Sequence, residues 1–511
     1  MLTSPEHTEP GRGPREAPKA IVIGSGFGGL AAAVRLGARG YKVTVLERLE
    51  QAGGRARVFK QDGFVFDAGP TIITAPYLFE ELWQIAGEKM TDHVDIVPVD
   101  PFYRIRFDDG EVFTYNGDPD AMRAEVARFN PDDVEGYERL MERSKGLCAE
   151  VFEALGHLPF GRVYDMLRYT PDILKYGGHL SVFDNVKKFI KDPRLQIVFS
   201  FHPLLIGGNP FAASGVYLLI PHLERQYGVH YSMGGTGSLV NGLCDLIERQ
   251  GGTLKYNADV EEIIVDNGTA KGVRLANGET MSADVVVSNA DAATTLKEML
   301  PPAPTRRWSP KAVDNAKLSM ALFVWYFGTK RKFPDVGHHT IVLGPRYKGL
   351  LTDIFHKHTL APDFSLYLHR PTIADPSLAP DGCEAFYVLS PVPHLKSGID
   401  WREQAEPYRQ AIEDRLNETI MPGLTGEIVT SRMLTPLDFQ TDYRAMQGSA
   451  FSLEPVLTQS AYFRPHNRQN AVKNLYLVGA GTHPGAGVPA VLSSARVLDE
   501  VVPDARTFAR L

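Results

Sequence analysis

Apolar residues fall in short runs broken by glycine and proline, and their spacing changes along the chain. Ala20-Ile-Val-Ile23 is an apolar run of strand length. Leu30-Ala-Ala-Ala-Val-Arg-Leu36 has a helical pattern, with Gly37 and Gly40 at its end, and Tyr41-Lys-Val-Thr-Val-Leu46 reads as a second strand. Together they predict a βαβ start. From about residue 76 to 224, amphipathic helical runs alternate with Pro159, Pro171, Pro193, Pro203 and Pro210, and few strands are expected. From Gly228 the pattern returns to α/β. It predicts a helix at 239–249, strands at 254–258 and 260–266, a hairpin at Asn277-Gly278 and the strand Asp284-Val-Val-Val287. Between about 318 and 435 strands alternate with loops, with a long helix at 401–420. The run Ala321-Leu-Phe-Val-Trp-Tyr-Phe327 is too short to cross a bilayer and reads as a buried strand. A strand at Leu475-Tyr-Leu-Val478, a glycine loop and a helix close the chain.

The turn after the first strand, Gly24-Ser-Gly-Phe-Gly-Gly29, has the G-x-G-x-x-G spacing. Gly24 permits the tight turn, Gly26 lets backbone approach a pyrophosphate, and Gly29 lets helix pack on strand. The helix N-terminus offers free N–H groups to phosphate. Glu47, ending the second strand, can accept both hydroxyls of an adenosine ribose. These features predict a bound dinucleotide. Its elements are split over 19–75, 228–300 and 471–511. The predicted inserts are a helical region, 76–227, and a mixed β/α domain, 301–470. Residues 1–18, rich in proline, glycine and charge, read as a disordered tail without the apolar core of a signal peptide.

Gly53-Gly54-Arg55-Ala-Arg57 follows Glu47 and can bring amides and a guanidinium to a pyrophosphate. Near the C-terminus, Gly479-Ala-Gly481-Thr-His483-Pro-Gly-Ala-Gly487-Val488-Pro489 is a loop that can wrap closely round a flat ring, before a helix with proline in its first turn. That helix N-terminus can stabilise negative charge on the ring. These turns, with Gly63-Phe-Val-Phe-Asp67-Ala-Gly69-Pro70-Thr71, resemble the amine-oxidase-like FAD flavoproteins. Within that superfamily the C-terminal loop, the central Met233-Gly-Gly-Thr-Gly237, Ser288-Asn-Ala-Asp291 and the 447–465 segment resemble the bacterial-type phytoene desaturases.

The resemblance implies FAD in a composite Rossmann-type α/β domain. Gly24, Gly26, Gly29, Glu47, Gly54, Arg55, Gly479, Gly481, Gly487 and Val488 are expected to hold it, with the Val260 backbone on the adenine. Many relatives in the wider superfamily carry an acid where Gly479-Ala480-Gly481 stands, so the group that binds the ribityl chain is not legible. The implied reaction desaturates phytoene and partly desaturated carotenoids towards neurosporene or lycopene. A hydride passes to flavin N5, an allylic cation forms in an apolar tunnel, and a proton is lost. Lys145 and His483 are the catalytic candidates, each matched by a bland reading as a solvated helix face and a structural loop residue. A later-pathway desaturase, a ketolase, a polyene isomerase and a GDP-dissociation-inhibitor-like prenyl-binding protein are the alternatives. Quinone or oxygen is the expected acceptor, with no NAD(P)H requirement.

Composition narrows the partners. A net charge of -7 speaks against nucleic acid. Cys148, Cys244 and Cys383 lie far apart, so neither a disulfide framework nor a thiolate metal site is expected. His338-His339 and His356-Lys-His358 read as exposed loop histidines rather than metal ligands. A C40 hydrocarbon must come from a bilayer, so a cytoplasmic protein on the membrane surface is expected. The candidate contact spans 151–223: Val151, Phe152, Leu155, Leu158, Phe160, Val163, Met166 and Leu167, then Ile197–Phe201 and Leu204–Ile206, with Arg162, Arg168, Lys175, Lys187, Lys188 and Lys191. A helical core is the equal alternative.

Overall fold

The computed structural model describes residues 16–301 and 307–508, apart from the side chains of Asp165, Leu167 and Asp172. Most of the tail expected to be disordered lies outside the described residues, as does the Leu167 side chain.

The first βαβ unit forms as its pattern requires: strand Lys19–Ile23, helix Phe27–Ala38, strand Lys42–Leu46. The strands are almost wholly apolar because the sheet they join is covered on both faces. That sheet has five parallel strands in the order Thr253–Lys255, Lys42–Leu46, Lys19–Ile23, Val285–Ser288, Leu475–Leu477. Three distant stretches of chain thus make one layer. Helix Phe27–Ala38 packs against helices Thr236–Arg249 and Val488–Arg496 on one side. On the other, a three-stranded antiparallel sheet covers it. This small sheet has two tight hairpins. One is the expected Asn277-Gly278. The other is Asn267-Gly268, where both residues take positive φ as a two-residue turn demands.

The second large layer is a seven-stranded mixed sheet whose long central strands are Ala321–Thr329 and Glu384–Val392. Every residue of Ala321–Thr329 is buried, which explains its unbroken apolar run. Helix Trp401–Thr419 packs behind it, and Trp401, Tyr408, Ile412 and Leu416 join Phe323 in a separate core. The structure differs from the expectation at one edge. The hairpin Tyr103–Arg106 and Val112–Tyr115 extends this sheet, although it belongs to the stretch read as helical. Its strands are four residues each, too short for alternation to outweigh the helical runs around them.

The mixed sheet reaches back to the first layer through hydroxyl groups. Tyr326 Oη donates to the Ala68 carbonyl at 2.7 Å, and Tyr387 Oη donates to the Gly69 carbonyl at 3.1 Å. Asp67 Oδ1 accepts from the Thr236 N–H at 2.8 Å and the Thr236 hydroxyl at 3.0 Å. Burial pushes the Asp67 carboxyl up to about 6. The loop after Asp67 is therefore pinned from three separate parts of the chain.

Candidate active site

One long cavity of about 520 Å³ runs between the two layers. At one end its wall comprises Gly24, Gly26, Gly28, Glu47, Gly54 and Arg55. Val260, Asn289, Asp291, Gly479, Gly487 and Val488 continue it. The other end is apolar, with Phe152, Leu155, Phe160, Leu204, Ile220 and Leu223 among its lining.

The glycines divide into two kinds. Gly26 has an ordinary extended backbone, φ -68°. A Cβ built there meets Asn289 Nδ2 at 3.0 Å and then nothing until the Gly53 oxygen at 3.9 Å, so it points into the open groove. Gly29 is the opposite: its Cβ would lie 2.0 Å from the Gly24 carbonyl oxygen. Gly29 does not line the cavity; it lets helix close on strand. Gly481 is likewise a packing position, where a Cβ would come within 2.5 Å of Ala292 Cβ. Gly479 has φ +95°, and its Cβ would sit 2.7 Å from Asn289 Oδ1. The Asn289 side chain is thus wedged between the first and last glycine loops.

Two helix N-termini open onto this end, Phe27–Ala38 capped by Gly26 and Val488–Arg496 capped by Gly487, neither with a side-chain cap. Their first-turn N–H groups keep capacity for an anion. The Glu47 carboxylate accepts from the Ser25 N–H at 2.9 Å and the Leu49 N–H at 3.0 Å, which orient it in the wall. Arg55 is half-buried, and its Nε and Nη2 atoms are buried without a hydrogen-bond partner among the described residues. Arg57 is drawn away from the cavity, donating to Asp442 Oδ2 at 2.5 Å. Val260 lines the cavity while its carbonyl accepts from Arg444 Nη1 at 2.9 Å.

Asp291 was not picked out as a site residue. Its Oδ1 caps a short helix, accepting from the Ala293 and Thr294 N–H groups, while its Oδ2 is buried in the cavity wall without a partner. The sequence signals were the acid missing from the 479–481 loop and the family-like string Ser288-Asn-Ala-Asp291 that contains it. Buried unpaired guanidinium nitrogens, a buried unpaired carboxylate oxygen, open glycine backbone and two free helix N-termini fit the pyrophosphate, hydroxyls and flat ring of FAD.

The catalytic candidates separate. Lys145 is exposed on helix Val134–Leu147 and absent from the cavity wall, so the solvated reading of that helix face holds. His483 lines the cavity, with its ring centroid 4.8 Å from that of Phe160. Neither ring nitrogen makes a well-formed hydrogen bond, although the Leu155 and Leu158 backbone lies close. Burial and the Arg464 charge lower it to about 3, so it stays neutral near pH 7 and is a weak base.

The reading of His338 and His339 as exposed is corrected: both are buried, because His339 begins the inner strand His339–Val342 of the mixed sheet and His338 directly precedes it. His369 on the neighbouring strand stacks against His339. The three rings are the one group among the described residues with metal-ligand proximity. Burial makes them poor bases, with His338 lowered to about 4. His339 is already engaged, with the Tyr367 hydroxyl at 2.7 Å from Nδ1 and His338 Nδ1 at 3.2 Å from Nε2. The adjacent Arg370 charge opposes a dication.

The expected membrane stretch also divides. The second patch divides too: Val198 and Phe199 are buried in the core, whereas Phe201, Leu204, Leu205 and Ile206 line the cavity. In the first patch Val151, Phe152, Leu155, Phe160 and Met166 line the cavity. Helix Val163–Lys175 presents Met166, Tyr169 and Ile173 inwards and leaves Val163, Tyr164 and Leu174 exposed, at 53%, 71% and 51%. No described helix is long and apolar enough to cross a membrane.

The family described as flavin containing amine oxidoreductase matches residues 27–497. The chain belongs to that family. A putrescine oxidase structure superposes with a TM-score of 0.67 at 13% identity, covering 97% of this chain and 99% of that one. An oxidoreductase from Methanosarcina mazei gives 0.64 at 19% identity, covering 94% and 100%. At these identities the likeness shows the shared fold. Sequence relatives are nearer. The neurosporene-forming phytoene desaturase of Cereibacter sphaeroides is 48% identical over 495 residues, 96% of this chain and 95% of that protein. The lycopene-forming phytoene desaturase of Pseudescherichia vulneris is 48% identical over 479 residues, 94% and 97%. The chain is therefore an FAD-dependent oxidoreductase of the amine-oxidase-like fold.

Proposed function

We propose that this flavoprotein is a phytoene desaturase, introducing C=C bonds into phytoene and partly desaturated carotenoids towards neurosporene or lycopene. The observation that carries the reading is one cavity whose lining joins the glycine loops, Glu47 and Arg55 to an apolar wall. A long hydrocarbon fits such a wall, and the nearer relatives act on one.

Bound FAD supplies a two-electron, hydride-accepting centre. The chain binds and orients. Glu47 accepts from the adenosine ribose, and the Val260 backbone meets the adenine. Backbone at Gly24, Gly26 and Gly54, with the Arg55 guanidinium, holds the pyrophosphate. Asp291 takes the ribityl hydroxyls in place of the acid missing from the C-terminal loop. Gly479, Gly487 and Val488 lie along the ring. Gly29 and Gly481 act by allowing close packing. His483 packs, neutral, between the flavin loop and Phe160. The apolar walls keep water from a polyene cation.

The substrate enters from a lipid surface. Val163, Tyr164 and Leu174 form the apolar contact, with Arg168 and Lys175 beside anionic headgroups. Quinone in that membrane, or oxygen, reoxidises the flavin, without NAD(P)H. The test is anaerobic incubation of the FAD-loaded protein with phytoene in liposomes, followed by chromatography of the polyenes. More-conjugated products with stoichiometric flavin bleaching are expected. Isomerised phytoene without bleaching points to an isomerase. A colourless protein that takes up no FAD points to the prenyl-binding alternative.

A further inference from the structure

We propose that Glu224 removes the proton in the desaturation, with His202 as the residue that positions its carboxylate; the proposal rests on the desaturase reading. Among the described residues, five carboxylates line the cavity. Glu47 and Asp291 belong to the nucleotide end. Asp259 and Asp442 are engaged by Arg444 and Arg57. Glu224 alone stands in the apolar stretch, on helix Ile220–Tyr227, among Phe201, Leu204, Tyr217, Leu219, Ile220 and Leu223.

Glu224 and His202 are each about 1% exposed on their side chains. Among the described residues the carboxylate has no lysine or arginine partner. The Tyr103 hydroxyl donates to Oε1 at 2.6 Å, and His202 Nε2 lies 3.2 Å from Oε2. Each oxygen keeps a second lone pair. His202 does not line the cavity, and its Nδ1 is buried without a partner. A buried carboxylate without a full cationic partner is uncommon, and such groups cluster where chemistry uses them. A cation on the polyene is the charge this one lacks.

The step balances. The polyene gives up a hydride, with two electrons, to the oxidised flavin and is left as an allylic cation. The C–H bond on the adjacent carbon breaks, and its electron pair becomes the new π bond. The proton bonds to a Glu224 oxygen. The substrate loses two electrons and two hydrogens.

Two variants of the FAD-loaded protein test this, Glu224→Gln and His202→Gln. Both keep a hydrogen-bonding side chain of similar reach. The readouts are flavin content, retention of phytoene from liposomes, and the rate of anaerobic flavin bleaching by phytoene. Glu224→Gln is expected to bleach about 100-fold slower or more, the low end of general-base contributions, with flavin content and phytoene retention unchanged. His202→Gln is expected to slow at least tenfold. Bleaching by Glu224→Gln within threefold of wild type overturns the proposal. Loss of flavin in both variants assigns the pair to the fold and overturns it too. If wild type itself does not bleach with phytoene, the desaturase reading fails and takes this assignment with it.

Discussion

Alanine at Gly26 and alanine at Gly29 should fail in different ways, although both glycines belong to one motif. At Gly26 the backbone is extended, φ -68°, and suits any L-residue. The added Cβ meets only the Asn289 amide at 3.0 Å, which must yield a few tenths of an ångström. The fold should lose about 1 kcal/mol or less. The methyl group, however, fills the space where phosphate must approach the backbone. Losing two hydrogen bonds to a charged group costs about 3–6 kcal/mol, which is roughly 10²–10⁴ in affinity. At Gly29 the Cβ would lie 2.0 Å from a backbone oxygen, a distance no atom pair tolerates, so helix Phe27–Ala38 must leave the strand. Apoprotein of both variants is compared by thermal unfolding and by calorimetric titration with FAD. The expected outcome is a near-normal unfolding temperature without tight FAD binding for Gly26→Ala, and a destabilised or insoluble Gly29→Ala. FAD affinity within threefold of wild type in Gly26→Ala, or a normal unfolding temperature in Gly29→Ala, refutes the division of roles.

Asp291→Asn keeps an oxygen to cap its helix but removes the carboxylate charge, so FAD affinity should fall by about 1.5–3 kcal/mol with the unfolding temperature of the apoprotein little changed; equal titration curves for variant and wild type would remove Asp291 from the cofactor site. Burial raises the Glu454 carboxyl from 4.5 to about 7. The folded state therefore holds a proton that the unfolded state releases. The stability tied to that proton is full below about pH 4.5 and lost as pH rises through about 7. Glu454→Gln should then gain on wild type at pH 8 relative to pH 5, by an amount of the order of 2–3 kcal/mol in denaturant midpoints; a pH-independent difference between the two proteins counts against the burial argument. Replacing Val163, Tyr164 and Leu174 together with Asp should lower liposome flotation at least tenfold, since each apolar side chain contributes about 1.5–3 kcal/mol when buried, while the flavin spectrum stays intact. Undiminished flotation of such a flavin-loaded variant moves the lipid contact elsewhere.

Local pattern alone made the first βαβ unit legible, and the family resemblance supplied the expectation of FAD. A buried parallel strand is an unbroken apolar run, a phosphate-binding turn needs glycine at fixed offsets, and a ribose needs an acid at the strand end. All of these lie within about thirty residues from Ala20, so Gly24, Gly26 and Glu47 could be read directly. The Gly479–Val488 loop was legible as a glycine turn before a helix, and its likeness to the family gave it the expected flavin role. What the tertiary structure decided depends on residues far apart in the chain. Asp291 is an ordinary helix-capping acid until the last glycine loop folds against it and leaves its second oxygen buried. Glu224 sits in a short amphipathic helix that reads as solvated on one face, and only the packing of Tyr103 and His202 from other segments places it in an apolar wall. His338 and His339 looked like loop residues because a histidine pair carries no periodicity. Lys145 and Glu224 show the limit most plainly. Both are charged side chains on amphipathic helices, and solvent or cavity is chosen by which neighbouring helix covers the face, information that no short stretch of sequence contains.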